Sequence, residues 1–199
     1  MDSIKNIDFT KKQLSLLKET DFLLTKINII EKVNSLFVKT KKELLQATKK
    51  SNFNFPNKLE LKKCKISKGE YYRGLPYLVL DCPAHFSDKN IFTFRTMFWW
   101  GNFFSSTLHL QGESLEKYRN YLVTNLDNLL NKEIYICINT TPWEYHYEKD
   151  NYVLLDNSHK PFITKCNFLK LSKKIELENW YLLTDFSKEF LELLLTNLK

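Results

Sequence analysis

The spacing of hydrophobic positions in the first fifty residues is that of two helices. Thr10 and Gln13 form the capping-box pattern that starts a helix, and three leucines follow. A second helix is expected from Thr20 or Asp21 to about Lys50, because apolar residues recur in it at helical intervals. This stretch predicts an N-terminal helical pair.

From residue 58 onward the apolar positions alternate as they do in strands. Leu59 and Leu61 alternate with polar residues, and Lys68-Gly69 is a dipeptide suited to a hairpin turn. The apolar run 75–82 predicts a strand that ends at Pro83. Further along, 144–148 is expected to form a strand with its polar side in water.

Two further helices are predicted, one beginning near Ser114 and one from about Ser187 to Leu198. Strands in the middle of the chain, with helices at both ends and one inserted, indicate an α+β fold with a central, mostly antiparallel sheet. The chain of 199 residues suits a single domain. Within it, 1–50 is expected to be a helical appendage and 58–199 the α+β core.

The segment RTMFWWGNFF, residues 95–104, combines an arginine with a dense group of aromatic residues. Gly101-Asn102 can form a two-residue hairpin turn, which would place Trp99 opposite Phe104. Alternatively, one strand runs straight through the segment. The straight strand sorts the side chains better, with an apolar face and a mixed face, but the sequence leaves both alternatives open.

The mixed face suggests a binding site. It carries Arg95, Trp99 and His109, a set that can hold a small anionic or aromatic ligand, or a protein partner, by charge-assisted hydrogen bonds and stacking. Arg73 and Asp81 are added to the candidate ligand-binding residues. The structural alternative is that Arg95 is the ion-pair partner of Asp81 and the aromatic residues are core.

An enzyme is the second hypothesis, with His109 or Asp81 as the general base. The sequence contains none of the common nucleophile, zinc-protease, phosphate-loop or dinucleotide motifs, so catalytic residues are not assigned. We expect a non-catalytic binding protein.

Positive charge is concentrated in one band. Residues 39–65 contain nine lysines and two glutamates, which accounts for the whole net charge of +7. Such a band suits a polyanion, and nucleic acid is a third hypothesis. The band contains no arginine, so nucleic acid is not favoured over a solvated surface. The candidate polyanion-binding residues are Lys39, Lys41, Lys42, Lys49, Lys50, Lys62 and Lys63.

No cofactor or metal site is predicted. Glu144, His146 and Glu148 are metal-ligand types at strand spacing, but a solvated polar face is the simpler interpretation. The four cysteines are widely spaced and are expected to be free buried thiols. No secretory signal or membrane-length apolar run is apparent, so we expect a cytoplasmic protein that does not contact membranes.

Two segments, RGLPYLVLDCP (73–83) and FRTMFWWGNFFSSTLHLQG (94–112), resemble an uncharacterised protein family of Bacteroidota. The resemblance covers about forty residues, roughly a fifth of the chain. It implies no activity and supplies no catalytic residues. It agrees with the composition rich in lysine and asparagine and with the expected cytoplasmic location.

Overall fold

The computed structural model of the protein describes residues 8–56, 60 and 63–199. In this part of the chain the helices are α1 (Lys11–Leu17), α2 (Thr20–Lys50), α3 (Glu113–Thr124), α4 (Lys160–Lys165) and α5 (Leu183–Asn197). The strands are β1 (Lys65–Tyr72), β2 (Leu75–Phe86), β3 (Ile91–Trp99), β4 (Phe103–Gln111), β5 (Tyr135–Cys137), β6 (Tyr152–Leu154) and β7 (Phe168–Glu176). The predicted α+β class is confirmed.

The seven strands form one sheet in the order β1-β2-β3-β4-β7-β5-β6. Every neighbouring pair is antiparallel. The first four strands follow one another as hairpins, whereas β7 reaches β4 only after α3 and the short strands have passed. The four long central strands therefore carry most of the sheet's two faces.

The predicted N-terminal helical pair is present, and the capping box at Thr10 is formed with Gln13. Buried residues of α2 recur every three or four positions: Val33, Phe37, Thr40, Leu44, Ala47 and Thr48. This stripe packs α2 on the sheet and on α5 through its second half. Residues 8–32, which we call the N-terminal arm, contain no fully buried residue.

Helices α2, α3 and α5 cover one face of the sheet, which we call the helix-covered face. Its core is mainly apolar, apart from the buried hydroxyls of Thr96, Ser106 and Ser187. Phe94 of β3 has no exposed surface and makes a ring contact of 6.0 Å to Phe190 of α5. Helix α5 begins at Leu183, four residues before the predicted start, because the 3₁₀ segment Leu177–Leu182 leads directly into it.

The segment 95–104 forms a hairpin, so the straight-strand interpretation is wrong. The loop has three residues, Trp100 to Asn102, and Trp99 lies opposite Phe103 rather than Phe104. Gly101 provides the positive φ of 70° that this turn needs. Since directly opposed residues point to the same side of a sheet, the odd positions of β3 and β4 still share one face.

The strands β1 and β2 differ from the prediction at two points. The hairpin turns at Arg73-Gly74, both with positive φ, and not at Lys68-Gly69, which lies inside β1. Strand β2 does not end at Pro83 but continues to Phe86, with a register shift between Asp81 and Ala84. Leu59 and Leu61 lie outside the described residues.

Two of the four cysteines are not free thiols. Cys64 and Cys82 form a disulfide that joins the segment entering β1 to the middle of β2, while Cys137 and Cys166 are free. The wide separation along the sequence concealed the pair, because the β1–β2 hairpin brings the two segments side by side.

The predicted strand 144–148 is also absent. Residues 138–151 form an irregular segment that crosses the second face of the sheet, and we call it the cover loop. A hairpin does form nearby, but between β5 and β6. The alternation of polar and aromatic residues at 144–148 predicts a strand. A loop that points every second side chain at the sheet beneath it has the same alternation.

Candidate ligand-binding site

Polar side chains lie in two rows across the face of the sheet that the cover loop crosses, which we call the loop-covered face. Asp81, Arg95, Thr107 and Ser172 are successive cross-strand partners in one row. Thr93, His109 and Lys170 form the second row, two residues further along the strands. Residues in these positions point to the same side, so the rows form one polar patch on four strands.

Arg95 is fully engaged within the protein. Its Nε donates to Asp81 Oδ1 at 2.8 Å and its Nη2 to Oδ2 at 2.9 Å, which is a bidentate ion pair. Its Nη1 donates to the Tyr145 hydroxyl of the cover loop at 2.7 Å. These contacts are the structural alternative raised from the sequence, and they make Arg95 a link between two strands and the cover loop.

His109 is buried and does not contact solvent. Its ring lies edge-on to Trp143 at 5.9 Å and to Phe168 at 6.1 Å, and neither ring nitrogen has a hydrogen-bond partner among the described residues. Burial, together with the positive charges of Lys170 and Arg95, lowers the pKa of His109 to about 3. The imidazole is therefore neutral at neutral pH.

Lys170 is the one lysine of the described residues without exposed surface. Its Nζ donates to the carbonyls of Pro142, at 2.9 Å, and Glu144 in the cover loop, and it lies 4.0 Å from the centre of the Tyr145 ring. Burial lowers the pKa of Lys170 to about 7. This side chain fastens the cover loop to β7 from beneath.

Tyr72 fastens the cover loop from the β1 side. Its hydroxyl donates to Glu144 Oε2 at 2.9 Å and accepts from the backbone amides of Tyr145, at 2.6 Å, and His146, at 3.1 Å. The Tyr147 hydroxyl bonds the Ser172 hydroxyl on β7. The loop therefore supplies backbone groups and hydroxyls, and the sheet supplies the side chains that bind them.

The five residues predicted to bind ligand are not gathered around one opening. Trp99 is buried in an aromatic group with Tyr72 and Phe103, and Arg73 lies on the surface in an ion pair with Glu148 at 2.8 Å. The predicted sharing of a face by Arg95, Trp99 and His109 holds. What the sequence did not reveal is that a distant loop covers that face.

Of the five predicted ligand-binding residues, Asp81 lines a cavity. A pocket of about 320 Å³, which we call the Asp81 pocket, lies beside β2. It is lined by Glu60, Lys63, Lys65, Asp81, Ala84, His85 and Phe86. A general base must reach its substrate, so of the two bases proposed from the sequence, Asp81 has the access that His109 lacks.

Phe86 was not singled out from the sequence, His85 was named only as a conceivable acid–base partner of Asp81, and Lys65 only as a member of the lysine band. Because Pro83 was expected to end the strand, the strand itself did not place Phe86 beside Asp81. The disulfide places Lys63 and Lys65, which flank Cys64, next to Asp81, which precedes Cys82. One sequence signal could have indicated this pocket. Two lysines flank one cysteine and an aspartate precedes a second, so a disulfide between the two cysteines brings these charges together.

The lysine band is divided by the fold. Lys39, Lys42, Lys49 and Lys50 are exposed on α2, whereas Lys41 is half-buried and its Nζ donates to the Cys64 carbonyl at 3.5 Å. Lys63 lines the Asp81 pocket. Lys62 lies outside the described residues.

Comparisons with protein-family models, with curated proteins and with solved structures give no match. Within residues 8–56, 60 and 63–199, none of the helices combines the length and the apolar character needed to span a bilayer.

Proposed function

We propose that this protein is a non-catalytic binding protein that takes a small anionic ligand in the Asp81 pocket. The observation that carries the proposal is the composition of one cavity wall. Lys63, Lys65 and His85 supply cationic or hydrogen-bond-donating groups around a single opening of about 320 Å³. That volume lies within the range of small-molecule sites.

The charge balance of the pocket favours an anion. The carboxylate of Asp81 is already neutralised by the bidentate pair with Arg95, so it does not offset the two lysines. Glu60 leaves one positive charge in excess. Phe86 is 43% exposed at the rim, and its ring offers a face for an aromatic or apolar part of the ligand.

The site is held in place before the ligand arrives. The Cys64–Cys82 disulfide fixes the lysine-bearing segment against β2, and the pair with Arg95 fixes the Asp81 carboxylate. A site that needs no ordering on binding loses less affinity to conformational entropy. In this proposal Arg95 is a positioning residue, acting through Asp81, and Trp99 and His109 support the sheet beneath the cover loop.

Calorimetric titration with benzoate and with inorganic phosphate tests the proposal. We expect saturable binding of at least one probe, weakened about tenfold or more in the double variant Lys63→Gln, Lys65→Gln, because each lost charge-assisted contact contributes roughly 1.5–3 kcal/mol. Lys68→Gln is the matched control, since Lys68 is exposed on the same strand but does not line the pocket. Binding that survives the double variant, or that is lost equally in the control, overturns the proposal.

Polyanion binding is the second candidate function, supported by the exposure of four lysines on α2. It predicts that a single-stranded oligonucleotide binds at low salt and that its affinity falls steeply as salt rises. Lys39→Gln with Lys42→Gln should reduce both the affinity and the salt slope. Binding that is independent of salt would contradict this candidate.

A further inference from the structure

Three metal-ligand side chains meet on the outer side of the cover loop. His146 Nδ1 lies 3.8 Å from a carboxylate oxygen of Glu148 and 3.8 Å from one of Asp150. The three ligand atoms all lie within 4.8 Å of one another. Ligand atoms around one ion bound at about 2.0–2.2 Å lie roughly 3–4 Å apart, so small side-chain rotations suffice to bring all three onto one ion.

The histidine of this set is already fixed. His146 is 3% exposed, its backbone amide donates to the Tyr72 hydroxyl at 3.1 Å, and its carbonyl accepts from Asn151 Nδ2 at 2.5 Å. Asn151 has no exposed surface and also accepts from the Cys137 thiol. The two carboxylates, in contrast, are exposed, and the ion pair with Arg73 holds the Glu148 oxygen that does not face His146. A rigid nitrogen ligand with two adjustable oxygen ligands is a partly assembled cation site.

The second ring nitrogen faces a different carboxylate. His146 Nε2 lies 3.5 Å from Glu144 Oε2, the oxygen that accepts from the Tyr72 hydroxyl at 2.9 Å. A carboxylate on the far ring nitrogen is the usual outer support of a metal-bound histidine, because it holds the proton there and leaves the other lone pair for the ion. Among the described residues, the hydrogen bond that this Nδ1 lone pair accepts comes from the Glu148 amide, at a long 3.4 Å.

We propose that His146, Glu148 and Asp150 bind one divalent transition-metal ion, for which Zn²⁺ is the probe. One imidazole with two carboxylates suits Zn²⁺ or Mn²⁺, whereas Ca²⁺ and Mg²⁺ prefer sites made of oxygen ligands alone. Three carboxylates surround one imidazole, and Arg73 neutralises only Glu148, through its other oxygen. The bound ion fastens the turn that carries Glu148 and Asp150 to His146, whose backbone amide is held by Tyr72 of β1.

The experiment is a calorimetric titration of Zn²⁺ into the full chain after treatment with a chelator, together with the melting temperature at each metal concentration. We expect one site with a dissociation constant in the micromolar range, and a melting temperature that rises with free Zn²⁺ because the ion binds only the folded protein. Ca²⁺ and Mg²⁺ should raise the melting temperature far less at the same concentrations.

Asp150→Asn and His146→Asn should each weaken Zn²⁺ binding tenfold or more. Asp150 is exposed, so its variant tests the site even if His146→Asn fails to fold. His159→Asn is the matched control, because His159 Nδ1 also faces a carboxylate, Asp156 at 3.0 Å, outside the proposed site. Equal affinity in Asp150→Asn, or equal loss in His159→Asn, would mean that Zn²⁺ binds elsewhere and would overturn the proposal.

Discussion

The two faces of the sheet are closed in different ways. Three helices close the helix-covered face. They satisfy their own backbone hydrogen bonds, so their side chains mainly pack, with a few buried hydroxyl contacts. The cover loop closes the loop-covered face with irregular backbone, whose polar groups must find partners underneath. Lys170 and Tyr72 bind those backbone groups, and Arg95 binds the Tyr145 hydroxyl of the same loop. A loop can therefore cover a sheet, provided that the sheet beneath it is polar at matching positions.

Phe94 and Arg95 are neighbours in the chain whose side chains point to opposite faces of the sheet. Substituting each in turn therefore compares how much the two faces contribute to stability. Phe94→Ala should lower the free energy of unfolding by about 3–5 kcal/mol, because it leaves a cavity between β3 and α5. The loss should be the same at pH 5 and pH 9, since apolar packing involves no proton. Urea unfolding at the two pH values measures it, and a strong pH dependence would mean that the helix-covered face depends on charge.

Arg95→Ala should cost about 3 kcal/mol or slightly more, because Asp81 is then left as a buried carboxylate without its partner. The double variant Asp81→Asn, Arg95→Met should recover part of that loss, since no unpaired charge remains. Urea unfolding of both variants gives the comparison. An unchanged stability in Arg95→Ala, with lost binding of benzoate or phosphate, would instead assign Arg95 directly to the ligand.

The buried basic groups of the loop-covered face should make its stability depend on pH. The pKa of His109 falls from 6.5 to about 3 on folding, so between these values the unfolded chain binds a proton that the folded protein does not. Stability should therefore fall as pH falls through this window, by up to about 1.4 kcal/mol per pH unit. His109→Leu should reduce this slope, as measured by urea unfolding across the window, while His159→Asn should keep it.

Lys170 should make stability depend on pH in the alkaline range. Its pKa falls from 10.5 to about 7 on folding, so stability should rise as pH rises from about 7 to 10.5. Lys170→Met should abolish the rise, whereas Lys174→Met, on the same strand and face, should keep it. If the native protein shows no rise, the two carbonyls and the Tyr145 ring hold the ammonium in its charged form.

The smallest effect is expected at the edge of the cover loop. Arg73→Ala removes the exposed ion pair with Glu148 and should change the free energy of unfolding least, because solvent screens a surface ion pair. Comparing the free energies of unfolding of Arg73→Ala and Arg95→Ala shows how much more a buried arginine contributes to stability than a surface arginine. A loss as large as that of Arg95→Ala would show that the edge, and not the Asp81–Arg95 pair, keeps the loop in place.

The sequence predicted the division of residues between the two faces better than it predicted the turn that produces it. Arg95, Trp99 and His109 were assigned to one face on the assumption of a straight strand, which is wrong. The assignment survived because a three-residue loop pairs Trp99 with Phe103, and so keeps odd positions together. A two-residue turn at Gly101-Asn102 would have moved β4 by one residue and mixed the faces.

What the sequence could not predict depends on contacts between distant segments. No local pattern indicates that 138–151 lies over β3 and β4, because its one regular stretch, the polar alternation at 144–148, indicates a strand and not a covering loop. The same holds for the disulfide, since Cys64 and Cys82 become neighbours only when β1 pairs with β2. The Asp81 pocket depends on both that pairing and the continuation of β2 past Pro83.

The N-terminal arm has a consequence for how the protein opens in solution. Arm contacts such as Phe22 with Trp100 and Lys26 with Glu70 lie near the surface, and the first fully buried residue of α2 is Val33. Amide hydrogens of residues 20–28 should therefore exchange with deuterium through fraying of the helix end, without opening the sheet. Amides from Phe37 to Ala47 should exchange only when the whole domain unfolds. One continuous helix therefore contains both amides that exchange by local fraying and amides that exchange by global unfolding.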